Sequence, residues 1–327
     1  MRRANWRLDC RPMTTTTDAI RTVTGTVPIL EIEQLTKRYG DLVAVDRVDL
    51  SVDEGEIFGI LGLNGAGKTT LVECAQGLRR PDAGSIRLLG RDPQRERSAL
   101  AARVGSQLQD SNLPERMRVN EAVRLFADRR LSPDAMAEWG LDKLWSKSFG
   151  SLSGGQRQRL FIALALVNEP EIVFLDELTQ GLDPSARRIV WDLVRQIRDR
   201  GTTVVLVTHF TDEAEVLCER VVVMRDGGLV AHGSPAELVD RYGPGVGVSF
   251  TDPNAEATDL CAIPGVRSLG VSGSRVELRG DRQMLAHVGA HLVETSRVRG
   301  TPVPTNIHVD EPSLEDAVLH LIGTTAA

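Results

Sequence analysis

A chain of 327 residues is too long for one ordinary domain and suits a main domain with a smaller companion. With 41% hydrophobic and 26% charged residues it can bury a sizeable core, and a formal net charge of -6 argues against a general nucleic-acid binder, whose footprint is a basic face. The longest uninterrupted apolar run, Leu160 to Val167, has eight residues where a membrane helix needs about 18, so any membrane association is expected through a partner.

Residues 1 to 28 read as a disordered tail. Arg2, Arg3, Arg7 and Arg11 precede Thr14 to Thr17, no apolar core suits a secretory signal, and Met13 competes with Met1 as the start. Cys10, Cys74, Cys218 and Cys261 lie far apart, in neither metal-binding nor disulfide spacing, which points to a reducing cytoplasm. From Ile29 the residues alternate, as they do again from Ala44 to Val52, with turn-type residues at Tyr39-Gly40-Asp41 and Asp53-Glu54-Gly55. An antiparallel lead-in is expected there. The apolar run Ile57 to Leu61 then leads into Gly62-Leu63-Asn64-Gly65-Ala66-Gly67-Lys68-Thr69-Thr70, which fits the phosphate-loop pattern G-x-x-x-x-G-K-[ST]. Glycines let backbone N–H groups curl around phosphate, Lys68 can reach the β and γ oxygens, and the Thr69 hydroxyl can ligate Mg²⁺. A helix from Thr70 to Gly77 would point its positive end at the phosphates.

Polar and helical segments are expected from about Pro93 to Phe149. Leu152-Ser153-Gly154-Gly155-Gln156 opens an apolar helix and, taken alone, is a capping box of Ser153 with Gln156. Two glycines in a first helical turn cost about 1 kcal/mol each, so a close approach to that backbone, for instance by an anion, is expected. Glu171 to Asp176 and Thr202 to Val207 are β-branched runs of the kind buried on both faces, separated by an amphipathic helix from Ala186 to Arg200, and strand–helix–strand means a parallel core. A turn-rich linker at Gly243-Pro244-Gly245 opens a small α+β region. Its expected strands lie near Val246 to Phe250, Val266 to Val271, Arg275 to Leu278 and Asn306 to Val309, with helices at Arg282 to Glu294 and Leu314 to Leu321.

In order along the chain, Gly62 to Thr70, Leu152 to Gln156 and Ile172 to Glu177 resemble the ATP-binding subunits of ABC transporters over about residues 29 to 240. The resemblance implies an α/β P-loop ATPase with an antiparallel β lead-in and a helical subdomain, followed by a small α+β accessory domain at 241–327. It also implies ATP and Mg²⁺ as cofactors and a head-to-tail homodimer in which the loop of one chain and Ser153, Gly154, Gly155 and Gln156 of the other sandwich each ATP. A separate transmembrane permease would be the partner, the chain lying on the cytoplasmic face of the membrane, with no nucleic acid involved.

Residue by residue, Tyr39 resembles the aromatic that stacks on adenine, although a lone aromatic beside a turn can equally be packing. Gln109 resembles the glutamine that ligates Mg²⁺ and senses the permease, with Gln107 a rival in register. Asp176 resembles the acid that holds Mg²⁺ through water, Glu177 the general base, Asp183 a residue of the dimer seam, and His209 the switch that contacts the γ-phosphate. Leu178 departs from the family's usual proline after the catalytic glutamate. The tail from Glu311 to Gly323 is similar to that of daunorubicin-resistance-type exporters, with Ala317-Val318 in place of valine-phenylalanine. Against transport stands a soluble ATP-switched clamp acting on DNA or ribosomes; the absence of a long coiled coil and of a second cassette favours transport. A phosphoryl-transfer kinase would leave Ser153-Gly154-Gly155 unexplained.

Overall fold

Alternating burial sets up the first sheet. In the computed structural model, which describes residues 28–107, 112–128, 131–252, 257–304 and 306–323, β1 (Leu30–Tyr39) buries Leu30, Ile32 and Leu35 against solvent-facing Glu33, Gln34 and Arg38. The step from Ile32 to Leu35 breaks strict alternation, and the register with β2 (Leu42–Val52) shifts at that point. Gln34 takes φ 46 there, and its N–H donates to Asp49 Oδ1 at 2.8 Å. A bulge thus puts Leu35 back on the core face.

The second sheet is the heart of the unit that ends at Pro235. Strand β3 (Ile57–Gly62) is buried at every position and leads through the phosphate loop into α1 (Lys68–Ala75). Strand β4 (Ala83–Leu88) returns to pair with β1, giving a three-stranded antiparallel sheet in the order β2-β1-β4. After the single turn α2 (Arg97–Leu100) comes β5 (Val104–Gln107), a strand in a segment expected to be polar and helical. Its four residues, Val-Gly-Ser-Gln, are too short and too poor in β-branched side chains to announce themselves. Helix α3 (Val119–Phe126) and three short 3-10 turns precede α4 (Gly154–Leu166).

The chain continues through β6 (Ile172–Asp176), α5 (Pro184–Asp199), β7 (Thr203–Thr208), α6 (Thr211–Leu217), β8 (Arg220–Arg225) and β9 (Gly228–Gly233). Helix α5 buries Val190, Leu193, Val194 and Ile197, the spacing of one helical face. The sheet order is β5-β6-β7-β3-β8-β9, parallel except for the β8–β9 hairpin. The carboxyl ends of β3, β6 and β7 therefore lie side by side. Open parallel sheets bind ligands beyond such ends.

The phosphate loop is fastened to the lead-in sheet. Gly67 has φ 99, and a Cβ there would collide with the Ala44 carbonyl of β2. Gly227, in the β8–β9 turn, donates to Ala66 O at 3.2 Å and accepts from the Asp46 N–H at 2.9 Å.

The unit beginning at Ala236 carries most of α7 (Pro235–Tyr242), then β10 (Val246–Thr251), α8 (Ala257–Cys261), β11 (Val266–Ser272), β12 (Arg275–Gly280), α9 (Met284–Arg299), β13 (His308–Asp310) and α10 (Leu314–Gly323). Its antiparallel sheet, ordered β11-β12-β10-β13, packs Val248, Phe250, Val276 and Leu278 against Met284, Val288 and Leu292 of α9. Helix α9 runs five residues past the expected end at Glu294, stopping at Gly300 with φ 64. The tail expected at residues 1–28 lies, up to residue 27, outside the described residues; the strand expected near Asn306 to Val309 begins at His308.

Candidate nucleotide site

Helix α1 starts without a side-chain cap, because its N-cap position is Gly67. Its first N–H groups are left for an anion or water. Leu63, Asn64 and Gly65 form the exposed crest of the loop, with Gly65 at φ 84, while Ala66 is buried and its N–H donates to Leu63 O at 3.1 Å. Lys68 turns its ammonium inward and donates to the carbonyls of Gly62 at 2.7 Å and Leu63 at 3.1 Å. Burial lowers the Lys68 pKa, opposed by the negative charges of Glu177 and Asp176. Thr69 and Thr70 occupy the first turn, and the Thr69 hydroxyl donates to Asp176 Oδ2 at 3.3 Å.

Asp176 is 2% exposed at the end of β6. Burial pushes its pKa up to about 6, with the Thr69 hydrogen bond pulling down and the neighbouring Glu177 charge pushing further up. Its Oδ1 is buried without a hydrogen-bond partner. A buried carboxylate oxygen with no donor, beside a threonine hydroxyl, suits a hard divalent cation such as Mg²⁺.

Glu177 follows with φ 50, an uncommon backbone for a residue with a side chain. Its N–H donates to Val207 O at 2.8 Å, which holds the residue against β7, and its Oε1 sits 3.1 Å from His209 Nδ1. The phosphate loop, the Asp176-Glu177 pair and His209, expected from three separated stretches of sequence, are thus gathered at the carboxyl ends of β3, β6 and β7.

The other expected residues lie differently. Gln109 is outside the described residues; its rival Gln107 ends β5 in register with Leu175 and is buried. Tyr39 is 41% exposed, and its ring centroid is 5.3 Å from the Arg79 guanidinium and 5.6 Å from Lys37 Nζ. Arg79, which also pairs with Glu73 at 2.5 Å, was not singled out in the sequence. The Arg79-Arg80 pair just past the loop helix was the signal available. Ser153 and Gln156 form a reciprocal capping box at 3.4 and 3.0 Å. A Cβ on Gly154 would come no closer than 3.9 Å to Leu182, and one on Gly155 would meet Ala186 at 3.4 Å, so no side chain among the described residues crowds either position. Asp183 caps α5, accepting from the Ser185 N–H at 2.9 Å, the Ala186 N–H at 3.0 Å and the Ser185 hydroxyl at 2.7 Å. The Ser185 hydroxyl and these N–H groups hold its carboxyl below the usual range.

A family model described as ABC transporter matches residues 45–180. The Nod factor export ATP-binding protein I of Burkholderia orbicola is 36% identical over 313 residues, spanning 90% of this chain and 97% of that protein. The chain belongs to the ATP-binding subunits of ABC transporters. A second relative of this family, the daunorubicin resistance ATP-binding protein DrrA3 of Streptomyces coeruleorubidus, is also 36% identical and covers 90% of this chain and 96% of its own length. Among solved structures, the dimeric ATP-binding cassette MJ0796, in a post-hydrolysis state bound to ADP and Pi, superposes with a TM-score of 0.55 at 25% identity, covering 63% of this chain and 98% of that one. As an ABC ATP-binding subunit, the protein is an ATPase with the P-loop fold of its family. No described helix is long and apolar enough to cross a membrane.

Proposed function

We propose that this ABC subunit uses ATP hydrolysis to drive a separate ABC-2-type permease that exports a drug-like or lipidic compound, working at the cytoplasmic face of the membrane. The observation that carries the reading is that two relatives named for export or drug resistance match nine-tenths of the chain, well beyond the nucleotide-binding region. The soluble clamp is not favoured on the same ground. We assign residues 236–323 to assembly or regulation; among their described residues there is no phosphate loop and no acid cluster of metal-binding spacing.

In the proposed site the N–H groups of the loop and of the first turn of α1, that of Ala66 excepted, bind the phosphates, and Lys68 leaves the Gly62 and Leu63 carbonyls to offset charge on the β and γ oxygens. Thr69 and Asp176 would hold Mg²⁺, which would supply positive charge against the phosphates; Gln109, outside the described residues, is the further ligand that the family resemblance implies. Glu177 takes a proton from the attacking water, while His209 fixes the Glu177 carboxylate and contacts the γ-phosphate. Adenine stacks on Tyr39. The bare glycines 154 and 155 support a partner in trans: with no crowding inside this chain, their lack of side chains is explained by the phosphate of a second copy reaching Ser153, Gly154, Gly155 and Gln156, with Asp183 near the seam.

Mixed dimers test this arrangement. Gly154→Asp places a carboxylate where the partner's γ-phosphate would sit and should abolish hydrolysis without loss of nucleotide binding to the single chain. Mixing it with Lys68→Ala chains should restore part of the rate through one intact composite site. Demonstrated mixed dimers with no recovered turnover would count against the sandwich. Co-expression with a candidate six-span permease, followed by membrane fractionation and ATPase assay, tests the transport role; a chain that stays off the membrane and is not stimulated would sink it.

A further inference from the structure

The loop that bears Glu177 and the strand end that bears His209 meet at a buried acid that belongs to neither motif. Glu213 lies on α6, four residues after His209, and is fully buried, as are Thr179 and Thr208. Trp191 Nε1, on α5, donates to Glu213 Oε1 at 3.3 Å. The hydroxyls of Thr208 and Thr179 lie against the same carboxyl and favour its charged form, but burial outweighs them and raises its pKa. Glu213 Oε2 and Thr179 Oγ1 are nonetheless buried without a hydrogen-bond partner among the described residues. An apolar side chain would fill this site at far lower desolvation cost, so packing alone does not explain an acid here.

Position does. Thr179 lies two residues beyond Glu177, in a turn closed by Gln180 N–H to Glu177 O at 3.2 Å and Leu182 N–H to Thr179 O at 3.2 Å. Thr208 immediately precedes His209, and its hydroxyl accepts from the Phe210 N–H at 3.0 Å. Trp191 sits on the helix capped by Asp183. One carboxyl therefore faces the turn after Glu177, the residue before His209 and the helix that begins at Asp183. Resting on the roles proposed above for Glu177 and His209, we propose that Glu213 is a positioning residue for ATP hydrolysis, setting the Glu177–His209 pair through Thr179 and Thr208. The net effect acts on the chemical step rather than on nucleotide binding.

The test uses the full chain, with steady-state ATPase kinetics across ATP concentration and pH, a fluorescent nucleotide for affinity, and thermal unfolding. Glu213→Ala should lower kcat by roughly ten- to a hundredfold while moving KM less than about threefold, the pattern of a misplaced group rather than a lost binding contact. Glu213→Gln keeps the size and the hydrogen-bonding reach and should recover most of the rate. In a Glu177→Gln background, Glu213→Ala should lower the residual rate no further, since both changes act through one base. A wild-type kcat per folded Glu213→Ala molecule, or an equal loss in both backgrounds, overturns the inference. Should Glu213→Ala fail to fold, Thr179→Val removes only the facing hydroxyl; its kcat should fall with KM unchanged, and an unchanged kcat overturns the inference equally. Wild-type turnover by Glu177→Gln itself would instead defeat the site assignment, whatever the Glu213 variants do.

Discussion

His209 Nδ1 stands 3.1 Å from Glu177 Oε1, joining the end of one parallel strand to the acid just beyond its neighbour. The bond fixes a side chain whose own backbone, at φ 50, is held by the Val207 carbonyl. With Glu177 as the proposed base, its carboxylate should be replaceable without disturbing the phosphate loop.

Glu177→Gln should therefore retain ATP and slow hydrolysis by about a hundredfold or more, the scale of a lost general base. ATP-bound dimers should accumulate on size-exclusion chromatography with Mg-ATP. A variant that stays monomeric at high concentration, or that hydrolyses at the wild-type rate, would contradict the assignment.

Lys68→Ala should lose productive ATP binding yet fold well. The lysine's ammonium is buried, lowered in pKa by desolvation, and bonded to two loop carbonyls. Removing it relieves a buried charge as it breaks those bonds, so nucleotide-free stability should stay within about 1 kcal/mol of wild type. The rise in Tm on adding ATP should vanish. A preserved ATP-dependent rise would mean that the loop does not bind phosphate.

Asp176 gives a pH signature in the metal- and nucleotide-free protein. Its pKa is raised to about 6 from the ordinary 3.8, so the folded chain holds this proton more tightly than the unfolded chain. The stability it contributes is full below about pH 4 and is lost as pH rises through about 6. Asp176→Asn removes that dependence. In denaturant titrations with EDTA, the variant should gain on wild type from pH 4.5 to pH 7.5, reaching about 2 kcal/mol. A difference between the two proteins that does not change with pH would contradict the buried, proton-binding carboxyl.

The leucine after Glu177 is a structural residue in its own right. Leu178 is completely buried, although its N–H makes no hydrogen bond within the described chain. Proline there would sacrifice part of that packing and disfavour helical-type angles at the preceding residue. Leu178→Pro should lower stability by about 1–3 kcal/mol and slow turnover, with ATP affinity little changed. Leu178→Ala should lose stability by about 2–4 kcal/mol from the cavity alone. Faster hydrolysis by Leu178→Pro at unchanged stability would show that the usual family proline is the better residue here too.

Local pattern made much of this legible. The phosphate loop, the apolar strands β3, β6 and β7, and the capping box at Ser153 each carry their signal within a few neighbouring residues. The parallel order that brings Gly62, Asp176 and His209 to one edge followed from strand–helix–strand succession and the family resemblance. What stayed hidden was set by distant contacts. Strand β5 is defined by pairing with β6 rather than by its own residues, and in the sequence Glu213 is one acid among several, beside Asp212 and Glu215. Only its burial against Thr179, Thr208 and Trp191 marks it.

The collision that any side chain at Gly67 would suffer with the Ala44 carbonyl reaches beyond the loop itself. Ala44 is two residues from Leu42, which pairs with Tyr39 at the hairpin end, and Arg79, just past the loop helix, approaches the same ring. For the proposed stacking of adenine on Tyr39, ring and phosphate cradle thus behave as the two jaws of a fixed caliper. On that proposal a diphosphate would reach both jaws yet leave the γ-phosphate end unfilled, so a distinction between ATP and ADP would rest on reach at the phosphate end, the base being common to both.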